Sequence, residues 1–193
     1  MEHRRWPPLG LIAGQLDAFR RELTERFPLV NTHPDVAGVL RQPDLLAGLG
    51  PALAAPFRDA GVTLVAAPEA RGPILGALTA TALDAGLVLV RKEGANHPGA
   101  DRRLTTRPTW KGEAQHFQMR SFDLGPHDRV LVVDDWITTG NSTRAVRDLT
   151  IEAGATYVGA SVLVNKAARA TLEDFAVAWL VTFDDLGDGL PAR

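Results

Sequence analysis

The chain has 193 residues, with 21 Lys and Arg against 23 Asp and Glu, a formal net charge of −2 and no cysteine. That length suits one domain with a substantial core and is short for two typical ones. The near-neutral balance argues against a general nucleic-acid surface, and the absence of cysteine excludes disulfides, a thiol nucleophile and thiolate metal sites.

The first residues, Met1 to Trp6, have no apolar run behind them, and no stretch approaches about 18 apolar residues. Neither a signal peptide nor a membrane span is expected, and the cytoplasm is the default. Ile12, Leu16, Phe19, Leu23 and Phe27 recur every three or four residues, predicting an amphipathic helix that Pro28 ends. Residues 31–38, with His33-Pro34-Asp35 among them, are expected to be irregular. A second helix over about 43–59 places Leu45, Leu46, Leu49, Leu53 and Phe57 on one face, and Gly61 stops it. From there the pattern alternates: strand 62–66, helix 71–84, strand 87–91, strand 130–134, helix 142–153, strand 157–164 and a last apolar run 177–183. Continuous Val/Leu/Ala strands are what a parallel sheet buried on both faces requires, so the class is α/β. The gap between 92 and 129 is too long for a plain connection. Its first part, 91–111, holds six basic residues (Arg91, Lys92, Arg102, Arg103, Arg107, Lys111) against two acidic ones (Glu93, Asp101). It reads either as a solvated charged loop or as a cationic flap that closes on an anion. Residues 115–122 alternate enough to be a strand bringing it back.

Residues 130–143, Val-Leu-Val-Val-Asp-Asp-Trp-Ile-Thr-Thr-Gly-Asn-Ser-Thr, carry the most chemistry. A buried strand ends on two carboxylates, Asp134 and Asp135, and a hydroxyl-rich turn then opens a helix. Free N–H groups and the positive end of the helix dipole face that turn, and Thr139, Ser142 and Thr143 add hydroxyl donors, which suits a phosphate. The carboxylates suit vicinal hydroxyls or a divalent cation. A sugar phosphate offers both features. The turn lacks the lysine and spacing of a P-loop, and Gly140 stands alone, so neither the Walker A nor the dinucleotide pattern is met.

This segment resembles the phosphoribosyl-diphosphate (PRPP) signature of the type I phosphoribosyltransferases. Glu69-Ala70-Arg71-Gly72 after one strand, and Val90-Arg91-Lys92 ending the next, are similar to the pyrophosphate-binding turn and the Val-Arg-Lys of the adenine branch. In order and spacing the resemblance spans roughly residues 40–165. It implies one phosphoribosyltransferase domain over 1–193: a parallel sheet flanked by helices, with a flexible flap (about 92–122) and a small hood (about 1–40 and 183–193). It implies a pentosyltransferase of nucleotide metabolism and purine salvage, moving 5-phosphoribosyl from PRPP to a nitrogenous base, a purine first, with release of pyrophosphate.

The same resemblance assigns roles. Thr138, Thr139, Gly140, Asn141, Ser142 and Thr143 would hold the 5′-phosphate, and Glu69, Ala70, Arg71, Gly72, Arg91 and Lys92 the pyrophosphate. Asp134, Asp135, Arg71 and the flap acid Glu113 would be catalytic. A strained, or cis, peptide near Glu69–Ala70 is implied, turning amides toward pyrophosphate. Mg²⁺ is the implied cofactor, held mainly by substrate oxygens and water with no protein cage, and a homodimer is implied, with no nucleic-acid or membrane partner.

The base pocket departs from the pattern. Thr138 stands where the hypoxanthine–guanine branch has an Asp, and Glu113 is shifted from the flap glutamate of the adenine branch. His33 and Asp35 stand nearest to that branch's Phe-Arg-Asp hood segment. Trp136 replaces a smaller residue, and either stacks on the base or fills core space. The alternative to an enzyme is a PRPP- or nucleotide-binding regulator, for which residues 1–30 supply a single amphipathic helix and no helix-turn-helix.

Overall fold

A computed structural model describes residues 13–106 and 114–187. Ile12, Glu113 and the hood's last residues, 188–193, lie outside the described residues. In chain order the elements are α1 (Ala13–Arg26), the hairpin β1 (Leu29–Val30) and β2 (His33–Pro34), α2 (Val36–Leu40), α3 (Pro43–Ala54), a 3₁₀ turn (Ala55–Ala60), β3 (Leu64–Pro68), α4 (Gly72–Leu83) and β4 (Gly86–Lys92). Then follow β5 (Arg102–Thr105), β6 (His116–Met119), β7 (Arg129–Ile137), α5 (Asn141–Glu152), β8 (Thr156–Asn165), α6 (Arg169–Asp174), β9 (Val177–Thr182) and α7 (Phe183–Gly187).

Seven strands form one sheet in the order β5-β6-β4-β3-β7-β8-β9. The five from β4 to β9 run parallel, while β6 joins β4 and β5 joins β6 antiparallel. Strand residues alternate faces, and β7 shows what both faces bury. Leu131 and Val133 point into a core shared with Phe19, Leu23, Val39, Leu49 and Leu75 from α1 to α4. Val130 and Val132 point into a second core with Val146 and Leu149 of α5 and with Leu104, Phe117 and Met119 of the β5–β6 hairpin. The expected parallel sheet flanked by helices is therefore what the chain builds.

Four expectations are corrected. Residues 31–38 are ordered as a hairpin and a short helix: Asn31 and Thr32 have φ of 50° and 65°, the two-residue turn whose twist matches the strands it joins. The helix over 43–59 stops at Ala54, because Pro56 lacks the N–H needed to extend the i→i−4 ladder. The 92–129 segment contains two strands where one was expected, since β5 buries only Leu104 and its exposed Arg102 and Arg103 disguise it. Finally, β7 runs through to Ile137, because β8 continues to pair with it as far as Asn165.

The N-terminal segment is not a separate layer, since α1 packs into the main core. Phe19 is fully buried, and a Cβ on Gly48 of α3 would lie 2.2 Å from its Cε2, so the helices approach closely only because position 48 has no side chain. Phe19→Ala is expected to destabilise the protein by about 3–5 kcal/mol, read as a lower midpoint at unchanged slope in urea unfolding. A loss below 1 kcal/mol would show that α1 is peripheral.

Candidate active site

Parallel strands deliver their C-terminal ends to one edge of the sheet, where α/β proteins bind ligands. Here that edge carries Glu69 to Gly72 after β3, Arg91 and Lys92 at the end of β4, Asp134 to Trp136 late in β7 and Lys166 just past β8. Because β3 lies between β4 and β7, its turn can be held from both sides. On the β4 side, the Lys92 backbone N–H donates to Glu69 Oε2 at 2.8 Å, and Glu69 Oε1 lies 3.1 Å from Arg91 Nε, an ion pair without the alignment of a hydrogen bond. On the β7 side, Arg71 Nε donates to Asp135 Oδ2 at 2.5 Å. The peptide between Glu69 and Ala70 is cis. Burial pushes the Glu69 carboxyl up, but the Lys92 N–H and the Arg91 guanidinium outweigh it and hold it below the usual carboxylate range. Glu69 is thus spent inside the protein, and so is much of the Arg91 charge. The Lys92 ammonium forms no ion pair among the described residues.

The adjacent acids stay close enough to feel each other's charge but have different partners. Asp135 turns to Arg71 and lines an open cleft of about 680 Å³ with Asn31, Thr32, His33, Trp136, Thr138, Lys166 and Phe183. Asp134 turns under the start of α4, where a Cβ on Gly72 would sit 3.2 Å from its Oδ1, and that Oδ1 accepts the Asp135 N–H at 2.8 Å. Burial first, and the Asp135 charge second, push the Asp134 carboxyl well above the usual range. The structure therefore brings Asp135 to the cleft directly and Asp134 behind it.

A second cavity, of about 170 Å³, is enclosed by Trp136, Ile137, the turn Thr138 to Thr143, and two residues from the flap hairpin, Thr106 and Gln115. Gly140 has φ 71°, and a Cβ there would meet Phe175 at 2.6 Å, so this corner tolerates only glycine. The N-cap of α5, Gly140, has no side chain to cap the helix, and the N-terminus of a helix suits an anion.

Trp136 is at once a core residue and a cleft residue. It packs against the main core and stands in the cleft, 5.7 Å from His33 edge-on and 6.0 Å from the Phe183 ring. Asp35 is not brought into the cleft. It precedes α2, donates its N–H to Pro28 O and is not among the lining side chains. Asn31, Thr32, Lys166 and Phe183 were not anticipated, nor were Thr106 and Gln115. Lys166 was findable, since it comes just after an apolar run, as Lys92 and Asp134 do. Among the described residues no three His, Asp or Glu side chains converge as a metal cage. The oxygen donors of Asp134 and Asp135 suit a hard cation that arrives already carried by a ligand.

Residues 37–184 match the phosphoribosyl transferase domain family. The chain is 33% identical over 152 residues to the adenine phosphoribosyltransferase of Symbiobacterium thermophilum, covering 77% of this chain and 88% of that protein. It is 37% identical over 142 residues to that of Streptomyces coelicolor, covering 72% and 76%. Among solved structures it resembles the adenine phosphoribosyltransferase of Rhodothermus marinus, with a TM-score of 0.72 and 28% identity over 86% of this chain and 99% of that one. It also resembles the Giardia lamblia enzyme complexed with 9-deazaadenine, at TM-score 0.67 and 26% identity, covering 77% and 84%.

The raised Asp134 carboxyl makes a stability test available. A carboxyl whose folded pKa lies above its unfolded value binds its proton more tightly in the native state, so stability falls as pH rises from the usual carboxylate range through the raised value. Asp134→Asn keeps the acceptor for the Asp135 N–H and removes that charge. The ligand-free variant is expected to melt higher than wild type at pH 7, on the order of 2–4 °C, with the gap closing near pH 4. An equal or lower melting temperature at pH 7 would show that the site accommodates the ionised carboxylate.

Proposed function

The chain belongs to the type I phosphoribosyltransferase family, and from that membership we propose how the two cavities beside β7 divide one substrate pair. The protein is a PRPP-dependent pentosyltransferase that transfers 5-phosphoribosyl to a purine and releases pyrophosphate. The observation that carries the division is that Trp136 and Thr138 line both cavities. A ligand with its phosphate in the Thr138–Thr143 turn therefore has its ribose beside Asp135 and its C1 substituents at the mouth of the aromatic cleft.

In this reading the α5 amides and the turn hydroxyls bind the 5′-phosphate. Asp135 accepts from the ribose hydroxyls, and Asp134 adds negative potential behind it as positive charge develops at C1. Arg71 and Lys92 take the charge of the leaving pyrophosphate, while Glu69 and Arg91 keep the turn in place. Trp136 and His33 frame the purine and keep water from C1. Mg²⁺ bound by PRPP oxygens, with Asp134 and Asp135 as the nearest protein donors, would supply further charge neutralisation. Glu113 stays a candidate flap acid.

The proposal extends to a homodimer in the cytoplasm. Ile74, in the first turn of α4, and Leu87 of β4, which lies beside Gly76 of the same helix, are exposed apolar side chains, which suits a partner subunit against α4. PRPP is too highly charged to cross a bilayer, so an enzyme using it works where it is made.

Pyrophosphate release from PRPP–Mg²⁺ and a purine tests the assignment against a regulator that only binds PRPP. The Asp134→Asn, Asp135→Asn double variant is expected to lose turnover by at least about 100-fold while circular dichroism stays native. Undiminished turnover would end the ribose assignment.

Arg71→Ala is expected to lower kcat/KM for PRPP by about 100-fold or more. Arg102→Ala should cost less than about 10-fold, because Arg102 pairs with the exposed Glu152 at 3.2 Å, a contact worth little. The reverse order would move the pyrophosphate site to the flap.

A further inference from the structure

The turn assigned to the 5′-phosphate is backed by a residue that lines neither cavity. Phe175, which follows α6, is fully buried, yet it belongs to neither of the two hydrophobic cores. Its ring edge meets Gly140 instead. A Cβ on that glycine would lie 2.6 Å from Phe175 Cε2 and 3.0 Å from the Thr171 methyl. Two guanidinium groups stand over the ring, with Cζ of Arg144 4.8 Å and Cζ of Arg147 4.6 Å from its centroid, a cation–π arrangement. Asp174 pairs with both arginines at 3.2 Å, and the Tyr157 hydroxyl donates to Phe175 O at 2.7 Å. Phe175 is thus held from α5, α6 and β8 together.

The placement of one arginine is unfavourable by itself. Arg144 stands in the first turn of α5, where the helix dipole disfavours a cation. Asp174 neutralises it there, so at this corner Arg144 covers the ring and brings no free charge to a ligand. Gly140, at φ 71°, is the residue type with most backbone freedom to lose, and a turn that must be ordered on binding gives up affinity in doing so. We infer that Phe175 is a positioning residue for the sugar-phosphate substrate. Its ring is the backstop that holds Gly140 in the left-handed conformation and keeps Thr138 to Thr143 shaped for a phosphate before one arrives. It acts through Gly140 and touches no substrate atom. It therefore sets the affinity for the phosphate end, and leaves C1 and the clamped turn at Arg71 as they are.

The inference rests on the phosphate assignment within the transferase reading, and the experiment separates it from the catalytic part. Wild type is compared with Phe175→Leu and Phe175→Met, which keep the position apolar, methionine being the more adaptable filler. Calorimetry measures ribose 5-phosphate and, separately, pyrophosphate–Mg²⁺. Pyrophosphate release from PRPP–Mg²⁺ is followed with adenine, hypoxanthine and guanine. Both variants are expected to bind ribose 5-phosphate about 5- to 30-fold more weakly, the freedom regained by one backbone residue, and to raise KM for PRPP likewise. kcat with the best base, and the affinity for pyrophosphate, should stay within about 2-fold of wild type. A role in stability alone would produce no such split. Unchanged affinity for ribose 5-phosphate in either folded variant, or an equal loss for pyrophosphate, would overturn the inference and leave the transferase reading standing. A wild type that releases no pyrophosphate with any base, yet binds ribose 5-phosphate with the stated dependence on Phe175, would overturn the transferase reading and keep the inference. A wild type that binds neither ribose 5-phosphate nor PRPP would overturn both.

Discussion

The turn after β3 is clamped from two directions, and the layout of the site depends on that clamp. Glu69 is tied to the backbone of Lys92 and to Arg91 at the end of β4, while Arg71 is tied to Asp135 on β7. Each bond reaches a different neighbour of the central strand, so the turn cannot shift toward one side without losing the other. Charged hydrogen bonds at a half-buried edge are stronger than their exposed counterparts. They also fix α4, whose first residue packs beside Asp134. The consequence for chemistry is preorganisation: the guanidinium of Arg71, the carboxylate of Asp135 and the start of a helix are in place before any ligand arrives.

That order carries a cost in stability, and the cost is local. Two acids in succession on a strand need compensation, and among the described residues only Asp135 is hydrogen-bonded to a cation. Asp135 has Arg71, whereas Asp134 has a backbone N–H and otherwise burial, which favours its neutral form. A site built this way is most at ease when a ligand brings positive charge with it, and least at ease when empty at neutral pH. Functional sites store unfavourable electrostatics of this kind, and the rest of the chain offsets it with two well-filled cores on the faces of the sheet.

The parallel strands and the phosphate turn were legible because each is local: Val130 to Val133 is a run, and Thr138 to Thr143 is a contiguous turn. The β1–β2 hairpin was missed because Asn31-Thr32 is an uncommon pair for a turn with two positive φ angles. β5 was missed because an edge strand with one buried residue has no period to detect. The acceptor cleft was only partly legible. Trp136 and His33 could be named, but Asp35 was misplaced and Lys166 and Phe183 were not seen. These residues lie far apart in sequence and are joined only by the order β7-β8-β9 and by the hairpin's return over the sheet edge. Spacing records neighbours along the chain, and this cleft is assembled from segments that are distant along it.

Trp136 belongs to the wall of both cavities, and this sharing divides the labour of the chain unevenly. β7 carries the acids, the tryptophan and the approach to the phosphate turn on nine residues, so a change to the acceptor made on β7 is transmitted to the sugar phosphate as well. Apart from Arg71 and Thr138, the remaining walls of the cleft come from the β1–β2 hairpin, the residue after β8 and the start of α7, none of which lines the smaller cavity. In the proposed reading, acceptor choice can thus drift through three short peripheral segments while the residues assigned to the activated sugar stay constant. The scaffold separates what must be conserved for reaction from what is free to vary between heterocycles.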